Sequence, residues 1–306
     1  MNTSDHPILV VGAAGRHGGT GGTVVREFLA KKVPVRALVR HRDERAEALE
    51  TLGVEVVLGD LNHRGSLLEA LENVETAYFA YPVRSGIIDA AANFSSAARA
   101  RGLKRLVIMS MGVSRPDSPS HLGRAQWLAE ELFEVSGFSC IHLRIAAFFY
   151  ENLPLLHGSD IRGDGVLRNS FDGTRLHWMA GRDAAKLAVA ALLQPERFAG
   201  RTAVYPTGNQ LFSHAELSAI ASQHVGRQLR HETISQCDWE TRLAAQSQHD
   251  GRLNADMIRH IGALSAVMKQ SYPSNDLIKE TLEEEQESFE AAIKRGLLDS
   301  PVFSPF

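Results

Sequence analysis

Through residues 8–145 of the chain, short apolar runs alternate with longer stretches whose apolar positions recur three and four residues apart. Ile8 to Val11 is wholly apolar and predicts a buried strand. Spaced glycines follow, then an amphipathic helix over 24–29, then the β-rich run Pro34-Val-Arg-Ala-Leu-Val39. Together these make one strand–helix–strand unit. A polar helix is expected over 43–52 and a third strand over 54–58, ending at Gly59-Asp60. Ser66-Leu-Leu-Glu69 has the spacing of a capping box and predicts a helix start. A fourth strand over 76–80 closes at Tyr81-Pro82, and a helix over 87–101 meets a stop signal at Gly102. A fifth strand (106–109), a helix (122–135) and a sixth strand (138–145) complete the series. Apolar strands alternating with helices predict an α/β fold, a doubly wound parallel sheet of the Rossmann kind covered on both faces.

The rhythm breaks after Phe149. Residues 152–173 are rich in Gly, Asp and Asn and show no clear period. A strand over 176–180, a helix over 183–193 and a short strand over 202–205 follow. Ser213-His-Ala-Glu216 is a second capping box, opening a helix that Gly226 ends. Helical segments are expected at 255–269 and 274–294, with the acidic run Glu283-Glu-Glu-Gln-Glu287 as a solvated helix face. The division expected is a nucleotide-binding domain over 1–150 and a smaller α+β cap over 151–306. The strand and helix near 176–193 have the option of returning to the main sheet.

Composition narrows the function. With 44% hydrophobic residues the chain can bury a large core, and a formal charge of −3 leaves no basic excess to hold nucleic acid. Two cysteines, Cys140 and Cys237, indicate no disulfide framework, and the 13 histidines show no metal-ligand spacing, so no metal is expected. No signal peptide or bilayer-spanning run is visible, so the expectation is a cytoplasmic monomer or homodimer without a membrane partner.

The glycines supply the candidate chemistry. Gly12, Ala14, Gly15, Arg16, His17 and Gly18 form the turn between the first strand and its helix. Such a turn brings bare backbone up to a pyrophosphate and points the helix N-terminus at it. Either Gly18 or Gly21 serves as the close-packing third glycine. The second strand ends Val39-Arg-His-Arg42 with no acid in the turn, so Arg40, assisted by Arg16, suits a 2′-phosphate; NADP(H) is expected, with NAD(H) possible. Asp60 and the adjoining Leu61 end the third strand beside the adenine position, where Asp60 has either an adenine contact or a turn role. Ala80, Tyr81, Pro82 and Ser110 end the fourth and fifth strands on the same edge, along the path to the nicotinamide.

Val11-Gly-Ala-Ala-Gly-Arg16, Val35-Arg-Ala-Leu-Val-Arg40 and Gly53-Val-Glu-Val-Val-Leu-Gly-Asp60 resemble the NmrA-like family of atypical short-chain dehydrogenases. So do Ser136-Gly-Phe138, Leu143-Arg-Ile145 and Phe148-Phe-Tyr-Glu-Asn152, and the likeness runs over roughly residues 7–195. The resemblance implies a Rossmann fold with a small C-terminal domain and NAD(P) binding. Family members include quinone and other carbonyl reductases, and regulators that sense the nucleotide without turning it over. Short-chain dehydrogenases generally donate a proton from a Tyr-x-x-x-Lys pair on the helix after the fifth strand. Here that region reads His121-Leu-Gly-Arg-Ala125. Candidates for the missing chemistry are His121 as proton donor, Arg124 as an orienting cation, Ser110 or Ser114 as the polarising hydroxyl, and Tyr81 or Tyr150 as a substrate hydroxyl partner. His142 is expected in the core, and His157 and His177 near substrate. Positioning alone removes much of a hydride-transfer barrier, so a quinone, enone, imine or carbonyl acceptor in the cap cleft is the leading expectation. A nucleotide-sensing protein without turnover is the alternative.

Overall fold

The computed structural model describes residues 6–15, 19–267, 277–282 and 284–299. Arg16, His17 and Gly18 of the glycine turn lie outside them, as do 268–276 and Glu283. The first half runs β1 (Ile8–Val11), α1 (Thr20–Ala30), β2 (Val35–Val39), α2 (Glu44–Thr51), β3 (Glu55–Leu58), α3 (Arg64–Ala70), β4 (Thr76–Ala80), α4 (Ile87–Ala100), β5 (Arg105–Met111), α5 (His121–Glu134) and β6 (Ser139–Ile145). Then come β7 (Phe148–Phe149), α6 (Asn152–Arg162), β8 (Val166–Asn169), β9 (Leu176–Met179), α7 (Gly181–Leu193), β10 (Ala203–Val204), β11 (Gln210–Phe212) and α8 (His214–Val225). The chain continues through β12 (Arg230–Thr233), α9 (Gln236–Ser247), α10 (Ala255–Val267), α11 (Leu277–Thr281) and α12 (Phe289–Lys294).

Seven parallel strands form the main sheet in the order β10-β6-β5-β4-β1-β2-β3. Strand order reverses between β1 and β4, where Val11 pairs with both Leu38 and Phe79. In such sheets the crevice for a ligand opens at that reversal, beyond the carboxyl ends of the strands. Alternate residues of β1 feed two cores. Ile8 and Val10 pack with Phe28 of α1 and Leu187 of α7; Leu9 and Val11 pack with Phe94 of α4 and Phe133 of α5. A third core, around Trp178, Tyr150 and Trp239, holds the C-terminal elements together.

Several sequence expectations are corrected. The Ser66 capping box does not form: α3 begins two residues earlier, and Ser66 Oγ donates to His63 O (2.9 Å) and accepts from Asp60 N (3.0 Å). The Ser213–Glu216 box does form, and Gly226 ends α8 at φ 69°. The patternless stretch 152–173 contains α6 and β8. Leu153, Leu155, Leu156, His157, Gly158, Asp160 and Ile161 of α6 are all buried, and burial on nearly every side erases the 3.6-residue period. β9 joins a small sheet with β11 and β7 rather than the main one. Its following helix α7 does lie on the main sheet, and the seventh strand is β10. The single helix expected at 274–294 is two, α11 and α12. Between them the described part of the acidic run is not helical: Glu284 and Glu285 are exposed, while the Glu287 N–H donates to Asp183 Oδ2 (2.9 Å) and its carboxylate takes Arg295 (2.9 Å). β11, β12 and α9 had no counterpart in the sequence reading. Among the described residues, no helix is long and apolar enough to cross a membrane.

Candidate active site

A cavity of about 940 Å³ opens at the carboxyl ends of β1, β4, β5 and β6 and reaches α10. Gly12, Gly15, Thr20 and Gly21 line one part of it, Ala80, Tyr81 and Pro82 another, and Met257, His260 and Leu264 of α10 a third.

The glycine turn is built from backbone pressed on backbone. Gly12 takes φ 91°, and a Cβ there would stand 2.8 Å from Ala80 O. The Gly15 N–H donates to Gly12 O at 2.9 Å. A Cβ on Gly21 would stand only 2.1 Å from Gly12 O, so Gly21 is the glycine that lets α1 close onto the turn. Among the described residues, the start of α1 carries no side-chain cap and no acid in its first turn. Its first amide groups, which like those of any helix lack an intrahelical acceptor, meet no described capping side chain, and no acid of the first turn offsets the positive dipole end. Bare backbone plus an uncapped helix start fits a pyrophosphate.

The arginine expected against a 2′-phosphate stands apart from the cavity. Arg40 is exposed and its Nε contacts His41 Nε2 at 3.1 Å. Arg45 of α2 lines the cavity instead. Its Nη1 donates to Ala14 O (2.9 Å), and Nη2 pairs with Asp43 Oδ2 (2.5 Å), the N-cap of the same helix. Asp60 serves its own turn, accepting from Asn62 N (2.9 Å), and Leu61 O accepts from Asn93 (3.0 Å); neither lines the cavity.

Of the proposed catalytic residues, Ser110 and Tyr81 line the cavity, while His121, Arg124 and Ser114 do not. Tyr81 Oη donates to Ser85 O (3.3 Å). His121 Nε2 lies 3.5 Å from Asp256 Oδ1, and Arg124 Nη1 donates to Ser118 O. Tyr150 is buried with its hydroxyl on Gln210 (2.6 Å). His157 stacks parallel to Trp239, and His177 meets Gly208 O at 2.9 Å, so neither faces the cavity. His142 is fully buried in β6, which pushes its ring down to about 4, in keeping with a core residue.

The residues that sequence reasoning missed are polar groups brought together from separate elements. Ser110 Oγ donates to the carboxylate of Glu130, buried on α5. Glu130 Oε2 in turn accepts from Arg144 Nε (2.9 Å) and Nη2 (2.5 Å), and Arg144 Nη1 donates to Tyr205 Oη (2.6 Å). Burial pushes the Glu130 carboxyl up, while Arg144 and Ser110 pull it back. Gln126, one turn before Glu130, lines the cavity with its amide nitrogen buried and without a partner among the described residues. A signal for these two existed: Gln126 and Glu130 fall in register with the apolar face of α5. No local signal marked His260, whose Nδ1 lies 2.6 Å from Ser120 Oγ.

Glu151 also lines the cavity. Burial pushes its carboxyl up to about 7, although Gly181 N (3.0 Å) and Arg295 (3.7 Å) favour the anion. An acid raised in the folded state stabilises the fold fully below its ordinary range near 4.5, and that contribution is lost as pH rises through about 7. Glu151→Gln is expected to match wild type in urea melts at pH 4 and to exceed it by on the order of 3 kcal/mol at pH 8. Parallel pH dependence of the two proteins would refute the assignment.

A doubly wound sheet with an uncapped glycine turn at its reversal point defines a dinucleotide-fold protein. The profile of the NmrA-like family matches residues 4–261, and the chain belongs to that family. An NAD(P)H azoreductase from Xenophilus azovorans is 34% identical over 232 residues, 74% of this chain and 77% of the relative. Among solved structures, the NADPH-dependent quinone oxidoreductase of Escherichia coli complexed with NADPH superposes with a TM-score of 0.78 at 23% identity, covering 94% of this chain and 99% of that one. The Citrobacter sp. triphenylmethane reductase complexed with NADP(H) gives 0.76 at 22% identity, with the same coverage. At these identities the structural likeness speaks for the fold.

Proposed function

We propose that the protein is an NADP(H)-dependent reductase whose organic acceptor lies between the strand ends and α10. One observation carries this reading: a single cavity joins the glycine turn to the apolar residues Met111, Val113, Phe148, Met257 and Leu264. The turn, Thr20 and the start of α1 hold the pyrophosphate, Arg45 meets the phosphorylated ribose, and Ala80, Tyr81 and Pro82 flank the path to the reactive ring. When bound, the dinucleotide supplies hydride from its nicotinamide. The chain's own residues position the acceptor, exclude water with the apolar wall, and offer Ser110 and Gln126 as hydrogen-bonding groups. By their names, the relative cited above is an azoreductase, and the two structural neighbours are a quinone oxidoreductase and a triphenylmethane reductase. A flat conjugated acceptor such as a quinone, imine or azo compound suits the apolar wall here.

The test is NADPH oxidation over a panel of quinone, enone, imine, azo and aldehyde acceptors. Turnover with at least one supports the reading. Tight NADPH binding with no turnover across the panel would leave a nucleotide-sensing protein instead. The cofactor assignment has its own test. Arg45→Ala is expected to weaken NADPH binding by about tenfold or more, the loss of one charge-assisted contact, and to leave NADH binding nearly unchanged. Arg40→Ala should change either by less than about twofold, as befits an exposed side chain. If Arg40→Ala selectively weakens NADPH while Arg45→Ala does not, the phosphate belongs to Arg40.

A further inference from the structure

We propose that His260 hands the proton to the acceptor as it is reduced, with Ser120 holding its ring in place; the proposal rests on the reductase reading above. His260 is buried on α10 and lines the same cavity as the ends of β4 and β5. Ser120 is the N-cap of α5, and its Oγ accepts from the Gly123 N–H at 3.2 Å. The same oxygen lies 2.6 Å from His260 Nδ1, and the transfer step needs it to accept Nδ1–H. That contact anchors the ring by Nδ1, and the step proposed uses the proton on Nε2.

Asp256 lies four residues earlier on α10, on the same helical face, and also lines the cavity. The Ser85 N–H (2.9 Å) and Arg259 (2.6 Å) hold its carboxyl well below the usual range. Among the described residues, the charged groups that share the cavity wall with His260 and Asp256 include Arg84, Arg252, Arg45 and Glu151, and His121 of α5 lies against Asp256.

The chemistry balances. The acceptor gains two electrons and one hydrogen as hydride and needs one proton. The Nε2–H bond breaks with its electron pair left on nitrogen, a new N–H or O–H bond forms on the acceptor, and neutral imidazole regains its proton from water. An azo or imine nitrogen requires that proton during reduction. A quinone does not, because its reduced anion can leave and be protonated outside.

Four measurements on wild type, His260→Gln and Ser120→Ala test this. With an azo or imine acceptor, His260→Gln should lower kcat by about 100-fold, the usual worth of a positioned acid. With a quinone the loss should stay within about threefold, and the NADPH dissociation constant should hold, since a positioned acid contributes only where a proton is transferred. The wild-type azo rate should fall about tenfold per pH unit above the ring's pKa, and His260→Gln should be flat. In the nucleotide-free protein, nitrogen-15 NMR of the histidines should show Nδ1–H on neutral His260, lost in Ser120→Ala. Equal losses on both acceptors, an unchanged pH profile in His260→Gln, or a profile abolished by Glu151→Gln instead would overturn the proposal. Wild type that binds NADPH yet reduces nothing would remove the reductase reading, and this one with it.

Discussion

Gly21→Ala is expected to raise the NADPH dissociation constant by about 100-fold and to destabilise the fold by about 1–3 kcal/mol. The added Cβ would stand 2.1 Å from Gly12 O, 2.7 Å from Gly12 C and 3.0 Å from Ala13 N. All three are backbone atoms, so no side chain can swing aside. The clash is relieved only by moving α1 off the turn by roughly 1 Å, and interiors packed at crystal density pass such a shift on to their neighbours. The same movement lifts the uncapped start of α1 away from the phosphates it serves. Gly53→Ala is the control. That position has a left-handed φ of 83°, which Gly21 lacks, and open space around it. It should cost about 1 kcal/mol through backbone strain alone and leave nucleotide affinity untouched. Calorimetric titration with NADPH and thermal melts of both variants decide the matter. NADPH affinity within threefold of wild type in Gly21→Ala would show that the turn does not hold the dinucleotide.

Glu130→Ala is expected to cost about 3–5 kcal/mol, the ordinary penalty for orphaning a buried charge. The Arg144 side chain is 11% exposed and that of Glu130 1%. Removing the carboxylate strands a guanidinium against Trp127 and Tyr205, whose ring centroids lie 5.0 and 5.5 Å from Arg144 Cζ. It also takes away the acceptor of Ser110 on the cavity wall. For a chain of this size the melting temperature should drop by roughly 10 °C. Glu130→Leu combined with Arg144→Met should recover most of that loss, because buried ion pairs gain little over well-packed apolar replacements. A double variant no more stable than Glu130→Ala would mean that the cost lies in packing rather than in the unpaired charge. In the double variant Ser110 still lacks its partner. A lowered acceptor turnover in a protein of restored stability would mark Ser110 as positioned by Glu130.

The order of strands and helices through residue 145 was legible because the strands, apart from the partly exposed edge strand β3, are buried on both faces and each helix on one. Burial of that kind writes a run or a period into the chain. The glycine turn was legible for a similar local reason: its constraint acts within the turn itself. Three features were not. The choice between Gly18 and Gly21 depends on how closely α1 settles on Gly12, a contact across nine residues. Arg45 displaced Arg40 at the cavity because the path of the chain after β2, capped by Asp43, turns one arginine inward and the other to solvent. α6 was invisible because it is buried on almost every side, which leaves no 3.6-residue period.

By itself, the sequence determined a parallel α/β sheet with a phosphate-binding turn at its reversal point. These follow from hydrophobic period and backbone freedom, which are properties of neighbouring residues. Only the tertiary structure decided which polar side chains meet across the cavity. Ser120 and His260 stand 140 residues apart, and Glu130 meets Arg144 from a different element. Hydrogen bonds across such separations impose no period and no local composition on either partner, so nothing in the linear pattern can announce them.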